Sequence, residues 1–362
     1  LFPYTTLFRS VSYFLSHVTR PCFAQGTVEL VPNHFSEVYP LLRERCRDPL
    51  VIAAVSPPDR HGYMSLGTGA DYAASFIGRA RFFVEANAQM PRTFGRNQLH
   101  LSQVVGWTHG NSALIEVPPA EPSELDRRIA AHVAARIGHG STVQTGIGAI
   151  PNAILSALKD HRQLGIHTEL LSDGVISLIE SGAVTGARKR LNRTKTIGAF
   201  ALGTRRLYDF IADNPAVEFW PATYVNDPRR IGTEPNFVSV NATVEIDLLG
   251  QCASETIGGR YWSSSGGQAD FARGAMYSEG GQAFIVCRST TDDGSVSKIV
   301  SGFKPGTVVT TLKNTVDKVV TEWGVAELRG RSIRERAAAL ISIAHPDHRD
   351  RLRHDARKLA YL

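Results

Sequence analysis

One stretch of the sequence indicates the class of fold: Ser141-Thr142-Val143-Gln144-Thr145-Gly146-Ile147-Gly148-Ala149-Ile150-Pro151. Its first five residues have the composition of a short strand, and glycines follow them directly. Pro151 suits the first turn of a helix, where the missing backbone N–H is tolerated. The stretch therefore predicts a strand, a tight turn and a helix, the repeating unit of an α/β fold.

The same alternation continues outward from this stretch. Residues 166–171 form another candidate strand, which ends at Ser172-Asp173-Gly174. Upstream, Leu50-Val51-Ile52-Ala53-Ala54-Val55 and residues 81–85 are candidate strands, with a helical stretch around residues 70–77 between them. A continuous apolar run indicates a strand buried on both faces, as in a parallel sheet.

A proline-rich segment, Pro118-Pro119-Ala120-Glu121-Pro122, divides the chain. Three prolines in five residues fit neither a helix interior nor a central strand, so this segment is the best candidate linker. A helix is expected directly after it, with Ser123 as N-cap and Asp126 in its first turn. We expect one domain over residues 11–121 and a second over residues 122–362.

Residues 1–10 do not resemble the start of a protein. They lack the charged, apolar and small-residue regions of a secretory signal, and they resemble the translation of a DNA-sequencing adapter. We expect them to be an artefact on a gene fragment, so that the first domain is incomplete; a genuine apolar arm is the alternative.

The bulk composition limits the possible functions. Of 362 residues, 43% are hydrophobic and 20% are charged, which is typical of soluble globular proteins. The net charge of +6 is spread along the chain, unlike the clustered basic residues of nucleic-acid binders. The four cysteines form no CxxC pair, which favours reduced thiols in a cytoplasmic protein over disulfides or zinc.

Two glycine loops are candidate binding elements. Backbone N–H groups in Gly146–Pro151, at a helix N-terminus, suit a phosphate or another anionic group. Ser265-Gly266-Gly267-Gln268-Ala269-Asp270-Phe271 could form an oxyanion hole. From spacing alone, a structural turn or hairpin remains the alternative for each loop.

Glu169 is the carboxylate that stands out. It lies within a mainly apolar strand, where a charge is costly unless it is paired or used. A paired or sheet-edge glutamate is the alternative. The late histidines His345, His348 and His354 form no HExxH motif and indicate a solvated helix, so no metal site is expected.

Taken together, these segments resemble the acetyl-CoA hydrolase/transferase family, and within it the 4-hydroxybutyrate and butyryl-CoA:acetate CoA-transferases. The similarity runs from about residue 11 to the C-terminus. The stretches that carry it are residues 55–63, 146–151, 165–169, 172–174, 203–210, 266–271, 320–328 and 343–346. The resemblance implies an α/β fold with two related open-sheet domains.

The resemblance also implies the site. The family's covalent nucleophile corresponds to Glu169, its oxyanion-binding asparagine to Asn226, and its oxyanion-binding backbone amide to Gly267. Glu245 is a rival nucleophile, disfavoured by the weaker motif match around it. The loops that line the CoA site in the family correspond to Gly146, Ile147, Gly148, Ala149, Ile150 and Pro151, and to Gly266, Gln268, Ala269, Asp270 and Phe271.

The implied activity is ping-pong transfer of CoA between short-chain acids such as acetate, butyrate and 4-hydroxybutyrate, through a glutamyl-CoA thioester. Coenzyme A enters as acyl-CoA substrate, and no metal is required. Small-molecule acyl-CoA and carboxylate are the expected partners, in a homo-oligomer without nucleic acid or membrane. An acyl-CoA hydrolase using the same residues and a non-catalytic CoA-binding protein remain alternatives.

Overall fold

A computed structural model of the protein describes residues 10–362. The prediction of an artefact falls on residues 1–10, of which 1–9 lie outside the described part. The strands are β1 (Ser10–Ser12), β2 (Val28–Leu30), β3 (Leu50–Val55), β4 (Tyr63–Ser65), β5 (Arg81–Asn87), β6 (Phe94–Gly95), β7 (Gln98–His100), β8 (Val104–Gly110), β9 (Thr142–Thr145), β10 (Gly165–Leu171), β11 (Thr196–Ala201), β12 (Val217–Phe219), β13 (Phe237–Ala242), β14 (Glu245–Asp247), β15 (Cys252–Ala253), β16 (Thr256–Ile257), β17 (Arg260–Tyr261), β18 (Gln282–Val286), β19 (Ile299–Val300), β20 (Lys318–Thr321) and β21 (Gly324–Glu327).

The α-helices are α1 (Thr19–Ala24), α2 (Val38–Arg45), α3 (Glu124–Ala134), α4 (Ala149–Ala157), α5 (Asp173–Glu180), α6 (Arg205–Ile211), α7 (Ala222–Val225), α8 (Pro228–Ile231), α9 (Gln268–Tyr277), α10 (Ile333–Ser342) and α11 (Pro346–Lys358). Short 3₁₀ turns occupy Phe35–Glu37, Ala73–Phe76 and Leu101–Gln103. Within residues 10–362, no helix combines the length and the apolar composition needed to cross a membrane.

A nine-stranded sheet forms the centre of the molecule, in the order β21-β20-β18-β13-β9-β10-β11-β12-β6. Its neighbouring strands pair in parallel except β20 and β21. From β9 the chain builds β10, β11 and β12 on one side, and then returns to place β13 on the other side. Such a reversal leaves a crevice at the carboxyl ends of the two central strands, where α/β proteins bind ligands.

The opening motif folds as its residues predict. β9 is entirely buried, the turn follows at Gly146, and α4 begins at Ala149 with Pro151 in its first turn. The predicted cap of α3 is also confirmed: Ser123 Oγ accepts a hydrogen bond from Asp126 N at 3.3 Å, and Asp126 Oδ2 accepts one from Ser123 N at 2.9 Å.

The upstream βαβ prediction is confirmed in its strands and wrong in two details. β3 and β5 pair in parallel. However, Leu50 is 49% and Ile52 is 76% exposed, because among the described residues the core contacts only the opposite face of β3. The helix expected over residues 70–77 is only the 3₁₀ turn Ala73–Phe76, which positive φ angles at Asp71 and Gly78 confine.

Candidate active site

Glu169 lies near the carboxyl end of β10, beside the crevice. The preceding residue, Thr168, fixes this part of the strand because its Oγ1 donates to the carbonyl oxygen of Thr145 at 3.1 Å. β9 ends at Thr145. The turn at Gly146 and the half-buried side chain of Glu169 therefore lie at the same edge of the sheet.

Asn226 lies between two short helices and is fully buried. α7 ends at Val225, and Asp227 caps α8 by accepting a hydrogen bond from Arg229 N at 3.0 Å. This junction directs Asn226 Nδ2 to Oε2 of Glu169, at 2.6 Å. Oδ1 of Asn226 is buried and has no hydrogen-bond partner among the described residues.

Gly267 is the N-cap residue of α9. Its backbone lies directly against the Glu169 carboxylate, and its N–H favours the charged form of that group. A Cβ atom at this position would clash with Oε2 of Glu169 and Nδ2 of Asn226. Glycine is therefore needed here because the backbone approaches two functional side chains so closely.

The surroundings raise the pKa of Glu169 to about 7. Burial is the main cause, since it disfavours the charged form. The hydrogen bonds from Asn226 and Gly267 oppose this shift, whereas the charge on Asp270 adds to it. A carboxylate of this kind is more basic than one in water. It is held by the Asn226 amide beside the Gly267 backbone, an arrangement suited to nucleophilic attack within an oxyanion site.

The chain is similar to known protein families and solved structures over most of its length. The acetyl-CoA hydrolase/transferase N-terminal domain matches residues 4–116, and the corresponding C-terminal domain matches residues 203–356. A succinyl-CoA:cyclohexane-1-carboxylate CoA transferase of Geobacter metallireducens is 45% identical over 96% of this chain and 80% of its own length. This chain belongs to the acetyl-CoA hydrolase/transferase family.

Two further relatives support the family assignment. A 4-hydroxybutyrate coenzyme A transferase of Clostridium kluyveri is 41% identical over 97% of this chain and 82% of its own length. The crystal structure of RipA from Yersinia pestis has a TM-score of 0.91 and 38% identity, and the match covers 98% of this chain and 82% of RipA. The family, the α/β fold class and the CoA-transferase class of enzyme predicted from the sequence are thereby confirmed.

The first predicted CoA loop of this family member lies at the end of β9. Gly148 caps α4 with a φ of +117°, and space is open around both Gly146 and Gly148. Ile147 is 48% exposed. Ala149 and Ile150 are half-buried and Pro151 is buried in the first turn of α4. The loop thus offers accessible backbone at the crevice, next to the strand that carries Glu169.

The second predicted loop reaches Glu169 through its glycines only. Gln268 Nε2 donates to Thr311 Oγ1 at 3.1 Å, and Phe271 is fully buried and stacks on Phe237 at 6.1 Å. Asp270 is also buried, with its carboxylate bonded to Ser36. These three side chains make protein contacts, so the part of this loop that lies beside Glu169 is the backbone of Gly266 and Gly267.

A cavity of about 780 Å³ adjoins this loop. Ala269, Asp270, Ser36, Asp227 and Arg273 are among the residues that line it, whereas Glu169 is not. Its volume suits an organic ligand. The part of the cavity lining formed by Ser36 and Asp270 could not be predicted from the sequence, because these residues are 234 positions apart and no local pattern connects them.

The rival nucleophile Glu245 is placed elsewhere. It lies in β14, which pairs with β15 and β19 in a separate three-stranded sheet. Burial raises the pKa of Glu245, and the nearby Lys304 and Thr307 oppose this shift. Asn226 and Gly267, the two residues predicted to bind the oxyanion, lie beside Glu169.

Proposed function

We propose that this family member transfers CoA between an acyl-CoA and a free short-chain carboxylate, with Glu169 as covalent nucleophile. The observation that carries the proposal is the hydrogen bond from Asn226 Nδ2 to the Glu169 carboxylate, which the Gly267 backbone approaches closely and whose pKa is raised to about 7. The proposal assigns the chemistry to residues 122–362, with residues 11–121 as the facing domain.

In the first half-reaction, the Glu169 carboxylate attacks the thioester carbonyl of the acyl-CoA. The C–S bond breaks, so that CoA leaves as a thiolate and an acyl-glutamyl anhydride remains. The thiolate then attacks the glutamyl carbonyl of this anhydride. The first carboxylate is released, and Glu169 carries CoA as a glutamyl thioester.

The second half-reaction reverses these steps with another acid. The incoming carboxylate attacks the glutamyl thioester, and the resulting anhydride is opened at its acyl carbonyl by the CoA thiolate. The new acyl-CoA leaves and the Glu169 carboxylate is restored. In the tetrahedral intermediates that form at the glutamyl carbonyl, Asn226 and Gly267 would donate to the oxyanion, and one such donor typically contributes ~3 kcal/mol.

Short-chain acids are the proposed substrate class. The relatives are named for cyclohexane-1-carboxylate with succinyl-CoA and for 4-hydroxybutyrate, which supports small carboxylic acids without selecting one. The half-buried position of Glu169 supports a site in which water has restricted access to the intermediates. We propose the accessible backbone of Gly146–Gly148 and Gly266–Gly267 as the CoA-contacting surface.

Steady-state kinetics with acetyl-, butyryl- and succinyl-CoA as donors and acetate or 4-hydroxybutyrate as acceptors test this proposal. Transfer predicts a new acyl-CoA that forms only with an acceptor, together with parallel double-reciprocal plots. An acyl-CoA hydrolase would instead release free CoA at the same rate without an acceptor. A non-catalytic CoA-binding protein would form neither product.

A further inference from the structure

Asp270 is a buried carboxyl group that the proposed chemistry does not use. It is 4% exposed and lies in the first turn of α9, three residues after Gly267. Both of its oxygens accept hydrogen bonds from one residue: Ser36 Oγ donates to Oδ1 at 2.8 Å and Ser36 N donates to Oδ2 at 3.0 Å. A buried carboxylate is costly unless it is paired in this way.

The 3₁₀ turn Phe35–Glu37 also holds the other side of the same loop. Phe35 N donates to the carbonyl oxygen of Gly266 at 3.1 Å. Farther upstream, Leu15 N donates to Ser264 Oγ at 3.2 Å. The N-terminal part of the chain is therefore bonded to the segment 264–270 both before and after Gly267.

The backbone of Gly267 has little room to move or to carry a side chain. Its backbone is so close to Glu169 and Asn226 that a single added carbon would clash with both. Two consecutive glycines would leave this loop flexible if it were untethered. A misplacement of ~1 Å at a reacting centre can lower the rate ~10²-fold. Hydrogen bonds that hold this loop in place from outside would therefore increase the rate.

We propose that Ser36 and Asp270 form a positioning pair that holds the Gly267 N–H against the reacting carboxyl group. The inference rests on the proposed function, in which Glu169 is the nucleophile and Gly267 an oxyanion donor. Neither member of the pair contacts the reacting atoms; they act through the backbone of α9 and its N-terminal loop.

The pair also links the loop to the charge state of Glu169. His34 and Glu37 face Asp270 from the same segment as Ser36, and Asp227, Arg229 and Arg273 line the adjoining cavity. Burial raises the pKa of Asp270 to about 6, and the hydrogen bonds from Ser36 oppose that rise. Removing the Ser36 hydroxyl should therefore reduce the charge on Asp270 at neutral pH, and with it the elevation of the pKa of Glu169.

Three variants test the pair: Ser36→Ala, Ser36→Thr, which keeps the hydroxyl, and Asp270→Asn, which keeps the shape. Ser278→Ala is the matched control, because Ser278 caps the other end of α9. Its buried hydroxyl donates to Glu234 O at 2.6 Å and accepts from Phe237 N at 3.1 Å. The control thus removes a buried hydroxyl from the same helix without touching the glycine loop.

For Ser36→Ala and Asp270→Asn we expect kcat to fall on the order of tenfold while KM for acyl-CoA stays within about twofold. The acid limb of the pH–rate profile should move to lower pH. Deuterium uptake by the peptide covering residues 264–270 should become about tenfold faster. Ser36→Thr should behave as the wild type, and Ser278→Ala should lose stability without any of these changes.

The inference is overturned if Ser36→Ala keeps wild-type kcat and deuterium uptake, or if Ser278→Ala produces the same changes. Asp270→Asn decides the question if Ser36→Ala does not fold. A wild type without Glu169-dependent transfer contradicts the proposed function instead, and in that case the deuterium uptake still reports whether Ser36 holds the loop.

Discussion

Nδ2 of Asn226 lies 2.6 Å from Oε2 of Glu169, although the two residues are 57 positions apart. The sheet brings Glu169 to the crevice, and the junction between α7 and α8 brings Asn226 to meet it. In the proposed mechanism, this amide N–H therefore already points to the oxygen that would become an oxyanion when the glutamyl carbonyl is attacked.

Glu169→Gln should abolish CoA transfer, with a loss above ~10³-fold, because an amide cannot form the anhydride. The control is Glu245→Gln, which removes the rival carboxylate in β14. We expect the transfer rate of Glu245→Gln to remain within about twofold of the wild type, since Glu245 does not form the covalent intermediate in the proposed mechanism. The measurement is the initial rate of acyl-CoA formation. A large loss of rate in Glu245→Gln with little loss in Glu169→Gln would refute the assignment of Glu169 as nucleophile.

Asn226→Ala should lower kcat by about 10²–10³-fold, the usual effect of removing one oxyanion donor. Asn214→Ala is the control, because Asn214 makes only local bonds, to Phe210 O and from Ala216 N. Circular dichroism should show both variants folded. A kcat unchanged in Asn226→Ala would remove this residue from the mechanism.

Gly267→Ala should be at least as damaging as Asn226→Ala, because the added methyl group would displace the Glu169 carboxylate from its donors. Gly182→Ala is a useful comparison, since a Cβ there meets open space and only backbone strain from a φ of +78° is added. We expect Gly182→Ala to lower the melting temperature slightly and leave kcat unchanged. Equal activity in the two variants would contradict the close approach at Gly267.

The activity should depend on pH through Glu169. Since the nucleophile must be ionised, kcat/KM should rise with pH up to about 7, the pKa of Glu169, and then level off. A pH–rate profile with a saturating carboxylate acceptor measures this. An acid limb near the ordinary glutamate pKa would mean that the site is more hydrated than its burial indicates.

Whereas the activity should rise with pH, the stability of the folded chain should fall as Glu169 ionises. The pKa of Glu169 is about 7 in the folded state, above the ordinary value of 4.5, so between these values the folded chain holds more protons than the unfolded chain. Ionising Glu169 therefore costs stability as pH rises through this window. Glu169→Gln should melt at a higher temperature than the wild type at pH 8, with little difference at pH 4; the exposed Glu44→Gln should show no such crossover.

His167 should support Asn226 in its neutral form. Its Nε2 donates to the carbonyl oxygen of Val225 at 2.8 Å, directly before Asn226. Burial, helped by the charge of Lys189, lowers the pKa of His167 to about 3. We expect His167→Leu to lower both kcat and stability and His167→Gln, which keeps a donor, to retain more of each. A nitrogen-15 spectrum showing a charged imidazole at pH 6 would contradict this role.

The sequence predicted the central part of this structure because local signals agree there. The strand, turn and helix around Gly146 form as expected, since each residue type favours its own position. Glu169, Asn226 and Gly267 were assigned from resemblance to a family, and the fold brings these three residues together.

Other features depend on contacts that no local pattern contains. The apolar run of β3 does not reveal that Ile52 is exposed, since burial depends on which elements pack against the strand. The helix expected near Ala73 is limited by the backbone conformation at Asp71. The Ser36–Asp270 pair joins residues that are 234 positions apart, and only tertiary structure can show it.

Chemical trapping can show whether Glu169 carries CoA as a thioester during the reaction. The enzyme is incubated with acyl-CoA and no acceptor, treated with borohydride, digested and mapped by mass spectrometry, with Glu169→Gln as the control. We predict that residue 169 alone is reduced to the corresponding alcohol, and that added acetate protects it. An unmodified residue 169 in a wild type that still transfers CoA, or reduction at Glu245, would contradict the account.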